Sequence, residues 1–241
     1  MFSYLSLAAL TLAVQAAPAP ATMTPEQIIA ALRLPENSTG NIADAVDEAT
    51  GARGWMSPDM KPIREGKVVG RAWTALLRPV LKNDAREYPN YQLQILDEAP
   101  AGSVLVYVLE DGLDIAGMGN LMATTAHARG LAGTVIDGAV RDVAEIRAIG
   151  HSVFARRISP ATSVGRMVSV AKQIPVKCAE VMVHPGDYIV GDADGVVVVP
   201  QQAAEKVIAL LKNYNERESK MVPLIKSEKS MLKALAIYGR Y

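Results

Sequence analysis

The chain is poor in most of the residues that announce a specialised chemistry. Its single cysteine, Cys178, excludes an intramolecular disulfide framework. Cys178 lies in the apolar stretch Val176-Lys177-Cys178-Ala179, the setting of a buried, inert thiol rather than of a nucleophile. The three histidines, His127, His151 and His184, are scattered without a metal-ligand spacing such as His-x-x-x-His. No serine sits in a Gly-x-Ser-x-Gly context, so a hydrolase triad is unsupported. Neither sign of charge prevails, with 25 basic and 25 acidic residues and no basic stripe, which argues against nucleic acid and anionic membrane as partners. Only two Phe and two Trp stand among residues that are 50% hydrophobic. A core of Val, Ala, Leu and Ile suits a β/α protein and not a disordered chain.

Long hydrophobic runs are also missing. The longest near the N-terminus, Leu5 to Val14, falls short of the ~20 residues needed to cross a bilayer. Followed by small residues, with Val14 and Ala16 placed for cleavage before Ala17-Pro18, it reads as a secretory signal whose boundary is set at residue 17. The expectation is a secreted or periplasmic protein with one domain from 24 to 241, including a helical tail from about 201. Asn37-Ser38-Thr39 is a glycosylation sequon in a eukaryotic host.

Helix signals come first. Thr24-Pro25-Glu26-Gln27 caps and opens one helix. Ser38-Thr39 opens a second, with Ile42, Ala45 and Val46 on one face and Gly51 at its end. The segment from Trp55 to Pro79 shows only short strand-like runs such as Val68-Val69, and Asn83 to Asn90 reads as a surface loop. Tyr91 to Glu98 resumes helical spacing. In the centre, strands at Ser103–Leu109, Thr134–Ile136 and Val153–Ala155 alternate with helices at Leu121–Arg129 and Val143–Ile149. Further strands at Val181–Val183, Tyr188–Val190 and Val196–Val199 are separated by Pro185-Gly186-Asp187 and Asp194-Gly195, read as hairpin-type turns. A long charged helix to about Glu218 and a basic tail follow. Together these elements predict one layered α/β domain.

Two junctions carry chemistry. In Gly117-Met118-Gly119-Asn120-Leu121-Met122, glycines precede a helix whose first amides lack internal partners, a ready site for a carboxylate or phosphate. The same residues also suit a plain tight turn with Asn120 as N-cap. In Asp137-Gly138-Ala139-Val140-Arg141-Asp142, the Arg141 fork suits a carboxylate and Asp142 offers a hard oxygen to Mg²⁺. Equally, Asp142 with Glu145 makes a capping box and Arg141 a surface ion pair. Both junctions follow strands of successive β/α units, so in a parallel sheet they open on one edge. Helix amides, a guanidinium and a carboxylate would then converge on one small anion, the equipment for a 2-oxo acid and its enolate. His127, on the helix after the glycines, and the acids Glu110, Asp111 and Asp114 upstream of them are secondary candidates. A solvated or helix-capping role for His127 and a solvated loop for the acids are the simpler readings.

The run Gly119-Asn120-Leu121-Met122-Ala123-Thr124 … Ala128-Arg129-Gly130 … Gly133-Thr134-Val135-Ile136-Asp137-Gly138-Ala139-Val140-Arg141-Asp142, with Pro185-Gly186-Asp187 and Gly191-Asp192-Ala193-Asp194-Gly195 through Pro200, resembles the RraA-like family. That family includes the 4-hydroxy-4-methyl-2-oxoglutarate aldolases. The resemblance implies a swivelling β/β/α sandwich with a β/α central unit, C-terminal β-hairpins and flanking helices, assembled as a homotrimer or homohexamer. It implies that backbone amides of Gly119, Asn120, Leu121 and Met122 hold the substrate, that Arg141 binds it, and that Asp142 coordinates Mg²⁺ or Mn²⁺. The implied reaction is retro-aldol cleavage to pyruvate, or oxaloacetate decarboxylation, through a metal-stabilised enolate, with Arg141, Asp142 and position 120 as the catalytic set. The aldolases carry Asp 21 residues before the Arg, where this chain has Asn120. A neutral amide cannot relay a proton as a carboxylate does. Some members regulate RNase E instead of acting as enzymes, so a non-catalytic binding protein that keeps the anion pocket is the competing expectation. An isomerase or hydratase using the same enolate is a third.

Overall fold

The computed structural model describes residues 22–81 and 86–239. The signal reading at residues 1–17 lies outside these. Among the described residues, no helix is long and apolar enough to cross a membrane.

Helix α1, Pro25–Arg33, starts with a complete capping box from Thr24 and Gln27. Helix α2, Thr39–Thr50, is capped by the Ser38 hydroxyl and ends at Gly51, whose φ of 70° only glycine adopts freely. After the short β1, Lys61–Pro62, the chain enters β2, Val68–Pro79, a strand of 12 residues where only short runs were expected. Its alternation is masked because both faces are covered over much of its length. Helix α3, Tyr91–Glu98, matches its expected bounds. Then come β3, Val104–Leu109; β4, Ala116–Met118; α4, Asn120–Ala128; β5, Gly133–Val140; α5, Val143–Ile149; and β6, Val153–Ile158. Three strands follow: β7, Met167–Lys172; β8, Val176–Cys178; and β9, Val181–Val183. The hairpin of β10, Tyr188–Gly191, and β11, Val196–Val199, leads into α6, Ala204–Glu228, and α7, Met231–Tyr238.

The main sheet runs β1-β6-β5-β3-β2-β10-β11, with β4 alongside β5 and β7 alongside β2. Strands β2, β3, β5 and β6 are parallel, and β10 joins β2 antiparallel through Val68–Arg71. On one face of the parallel strands, α3, α4 and α5 bury Leu105, Tyr107, Ile136 and Val140. On the other face, Val104, Val106, Val135 and Phe154 pack against the β8–β9 hairpin and one side of β10–β11. The opposite side of β10–β11 is covered by α1, α2 and α6. Burial from both sides explains why Val196–Val199 is four valines without alternation. The layering is the β/β/α sandwich expected, with an additional helical layer outside β10–β11.

Several local expectations are corrected. Asp137-Gly138 is not a junction but the interior of β5, and the Asp137 carboxylate binds the Arg156 guanidinium at 3.0 Å and the Ala179 N–H at 2.6 Å. Pro185–Asp187 does not turn a hairpin: β9 pairs with β8, whereas β10 pairs with β2 and β11. Asn37 is 3% exposed, and its Nδ2 donates to the Ala31 carbonyl at 2.8 Å, so the folded chain offers no glycan attachment there. Cys178 is fully buried, and burial pushes its thiol pKa up, as an inert thiol requires.

His151 is 2% exposed and shares a 3.0 Å hydrogen bond with the Thr134 hydroxyl. Burial, with a smaller contribution from His127, lowers its pKa to about 4. The unfolded chain therefore takes up this proton at a higher pH than the folded protein does. Stability is complete above the ordinary histidine pKa near 6.5 and declines as pH falls to about 4, by roughly 3 kcal/mol. Thermal melts from pH 7 to pH 4 should show this decline, and His151→Gln should flatten it. An equal decline in the variant would place the proton uptake elsewhere.

Candidate functional site

Strand β5 ends at Val140, and two residues, Arg141 and Asp142, connect it to α5. Arg141 stays tied to the neighbouring strand, its N–H donating to the Met118 carbonyl at 3.1 Å. Asp142 then turns the chain in the left-handed region, with φ 57° and ψ 43°, a conformation that Asp and Asn tolerate better than other non-glycine residues. This turn decides what the carboxylate does. Asp142 makes no side-chain cap to its own helix, so the capping box with Glu145 does not form. Its Oδ2 instead accepts the Asn120 N–H at 3.0 Å, at the N-terminus of α4.

The start of α4 also differs from expectation. Ala116–Met118 is a strand paired with β5, not part of a glycine turn. The N-cap is Gly119 rather than Asn120. A Cβ on Gly119 would lie 2.5 Å from Asp142 Oδ2 and 3.1 Å from Arg141 Nε. Glycine is needed here for close approach, since its φ of −132° is open to any residue. Asn120 commits its main-chain N–H to Asp142, while Leu121 and Met122 keep first-turn amides without an intrahelical acceptor. The Arg141 Nε stands 3.7 Å from Asp142 Oδ2, with both side chains partly exposed.

These residues line a cavity of about 320 Å³ at the carboxyl ends of β4 and β5. The two expected junctions do converge there. Two further segments, remote in sequence, complete its wall. Helix α3 brings Asn90, Gln92 and Leu93, anchored by the Gln92 Nε2, which donates to the Gly117 carbonyl. The loop after β6 brings Thr162, Ser163 and Val164, held by the Ala116 N–H on the Ala161 carbonyl at 2.8 Å and the Ser163 N–H on the Ala116 carbonyl at 3.2 Å. Sequence reasoning missed both, because no motif links them to the glycine and Arg-Asp junctions. Only the pairing of β4 shows the proximity.

The secondary candidates lie elsewhere. Glu110 and Asp111 line a different cavity with Asp137 and Arg156, and Glu110 is ion-paired with Arg78. Asp114 and His127 are not among the residues lining the Arg141–Asp142 cavity. Among the described residues, no group of three or more His, Cys, Asp and Glu side chains could cage a metal. Asp142 does fit a cation held through one carboxylate and water: Oδ2 faces Asn120, and Oδ1 has no partner among the described residues.

The arrangement defines an α/β protein with a small cavity, lined by Arg141 and Asp142, where parallel strands meet helix N-termini. Residues 39–198 match the RraA-like model, Aldolase/RraA, and the chain belongs to that family. It is 32% identical over 174 residues to protein DlpA of Legionella pneumophila, covering 71% of this chain but 27% of that one. This chain thus spans about a quarter of that relative's length. It is 33% identical over 172 residues to a putative 4-hydroxy-4-methyl-2-oxoglutarate aldolase of Halalkalibacterium halodurans, covering 69% of this chain and 74% of the relative. Among solved structures, an uncharacterized protein from Pseudomonas syringae pv. tomato superposes with a TM-score of 0.79 at 28% identity, over 93% of this chain and 100% of that one.

Proposed function

We propose that the chain is a divalent-metal-dependent lyase that cleaves a small 2-oxo acid to release pyruvate. The observation that carries this reading is the left-handed turn at Asp142. It lays one carboxylate oxygen on the α4 amide and the Arg141 guanidinium beside it, inside one small cavity. The resemblance of the aldolase-named relative to this chain supports the same reading.

The guanidinium of Arg141 holds the substrate carboxylate as a planar fork. The free amides of Leu121 and Met122, at the positive end of α4, orient the substrate and stabilise negative charge that develops on its 2-oxo oxygen. Asp142 is the residue that would hold Mg²⁺ or Mn²⁺; such an ion supplies Lewis-acid stabilisation of the same oxygen charge. In retro-aldol cleavage the C3–C4 bond breaks, its electron pair moves toward the 2-oxo oxygen, and the C4 hydroxyl proton leaves. The Asn120 amide cannot take that proton, so it passes to water in the open cavity. In oxaloacetate decarboxylation the bond to the departing carboxylate breaks instead, releasing CO2 with no base required, and in both reactions the enolate then takes a proton at C3 from water to give pyruvate.

The test is pyruvate release by the purified chain with and without Mg²⁺, from oxaloacetate and from 4-hydroxy-4-methyl-2-oxoglutarate. Metal-dependent release that disappears in Arg141→Ala and Asp142→Ala supports the lyase. No release above the metal-only background rejects it for these substrates. Asn120 then favours a second reading, a binding protein of the same family that retains the anion cavity without turnover. We propose that either protein assembles as the homotrimer or homohexamer the family resemblance implies; Leu121 and Val164, 80% and 79% exposed at the cavity, are apolar side chains a neighbouring copy could cover. A monomer mass in light scattering would reject that assembly.

A further inference from the structure

Gln92 is 7% exposed, yet it lines the Arg141–Asp142 cavity. Its main chain is pinned twice: its N–H donates to the Ser169 hydroxyl at 3.2 Å, and its carbonyl accepts the buried Tyr107 hydroxyl at 3.0 Å. Its side-chain Nε2 donates to the Gly117 carbonyl, two residues before the Gly119 that touches Asp142 and Arg141. A carbonyl can only accept, so this bond settles which end of the amide is nitrogen. The other end, Oε1, has no hydrogen-bond partner among the described residues. Its neighbours on the cavity wall are different. The Asn90 Oδ1 accepts the Leu93 N–H, and the Thr162 Oγ1 accepts the Val164 N–H, so both serve local turns. Oε1 is therefore open to water in the cavity, and a bound ligand that displaces this water without offering a donor leaves the acceptor unmet, at about 1–3 kcal/mol.

We propose that Gln92 is the specificity-determining side chain of this cavity, its Oε1 accepting a hydrogen bond from a hydroxyl on the carbon chain of a bound 2-oxo acid. The proposal rests on the reading of the cavity as a 2-oxo acid site but does not require turnover. The acid's carboxylate lies at Arg141 and the α4 amides, and its hydroxyl-bearing end lies toward α3. An ammonium donor is disfavoured by the neighbouring guanidinium. The amide is pre-positioned by the contacts to Ser169, Tyr107 and Gly117, so little ordering is needed on binding, and a missing ligand hydroxyl is sensed as an unpaired acceptor.

The test is titration calorimetry with EDTA present, which suppresses metal-dependent turnover, using 4-hydroxy-2-oxopentanoate, its deoxy analogue 2-oxopentanoate, and 4-methoxy-2-oxopentanoate. The wild-type chain should bind the hydroxy acid at least tenfold more tightly than the other two. In Gln92→Met, of similar shape, the preference should shrink to within twofold, whatever the loss of the Gly117 bond does to the affinity for all three acids. Tyr107→Phe loosens α3 without touching Oε1 and should keep the preference, which separates recognition from a merely structural role. Equal binding of hydroxy and deoxy acids by the wild type, full preference in Gln92→Met, or no binding of any of the three would overturn the proposal. The hydroxy–methoxy comparison needs no variant, so a Gln92→Met chain that fails to fold leaves it decisive. A tenfold hydroxyl preference without pyruvate release in Mg²⁺ would sink the lyase reading and leave this one standing.

Discussion

Asp142→Asn should lower kcat/KM for metal-dependent pyruvate release by about 10²–10³-fold while leaving the melting temperature nearly unchanged. Asparagine is the replacement that isolates charge. It tolerates the left-handed conformation at φ 57°, and its side-chain oxygen can still accept the Asn120 N–H. What disappears is the negative charge beside Arg141 and the hard anionic oxygen for a cation. Asp142→Ala, by contrast, loses the α4 contact and places alanine in a left-handed turn, adding about 1–2 kcal/mol of destabilisation. Steady-state kinetics and thermal melts on both variants separate the two effects. An Asp142→Asn chain within tenfold of wild type would remove the carboxylate from the chemistry.

Gly119→Ala should be nearly as damaging to activity, about 100-fold, for a different reason. The backbone there is open to any residue, but the added methyl would sit 2.5 Å from the Asp142 carboxylate and 3.3 Å from Arg141 Cγ. The Asp142 carboxylate, drawn off the Asn120 N–H, and the Arg141 side chain must then give way, and a shift of this size at a catalytic constellation is costly in rate. Overpacking of this kind also destabilises by about 1–3 kcal/mol. Kinetics and a denaturation midpoint measured together check both parts. Wild-type behaviour in both would show that the connection yields freely and that the close approach at Gly119 constrains nothing.

The elements were legible wherever the cause was local. The caps at Thr24 and Ser38, the glycine ends at Gly51 and Gly150, and the apolar runs of β3 and β11 depend on neighbours in sequence. β2 was not legible at its true length because its pattern answers to three strands at once: β10 at its start, β3 along its middle, β7 at its end. The convergence of Gly119–Met122 with Arg141–Asp142 followed from alternating strands and helices, since parallel strands bring successive junctions to one edge. The hydrogen-bond detail did not follow. An Asp three residues before a Glu favours capping its own helix, and only the left-handed turn, which no local signal dictated, hands that carboxylate to α4. Gln92 was invisible for the opposite reason: α3 reads as an ordinary helix, and its place on the cavity wall depends on contacts with β4.

The bond between Asp142 and α4 runs to the backbone of residue 120 and not to its side chain. Any residue with a main-chain N–H can supply it, so substitution at 120 leaves the joint between the two helices intact. Arg141 and Asp142 are bound into the architecture; position 120 is free to drift. A side chain at 120 can therefore be an acid or an amide, as Asn120 is here, without disturbing the pocket that Arg141 and Asp142 line. Chemistry and shape are thereby separable at a single codon.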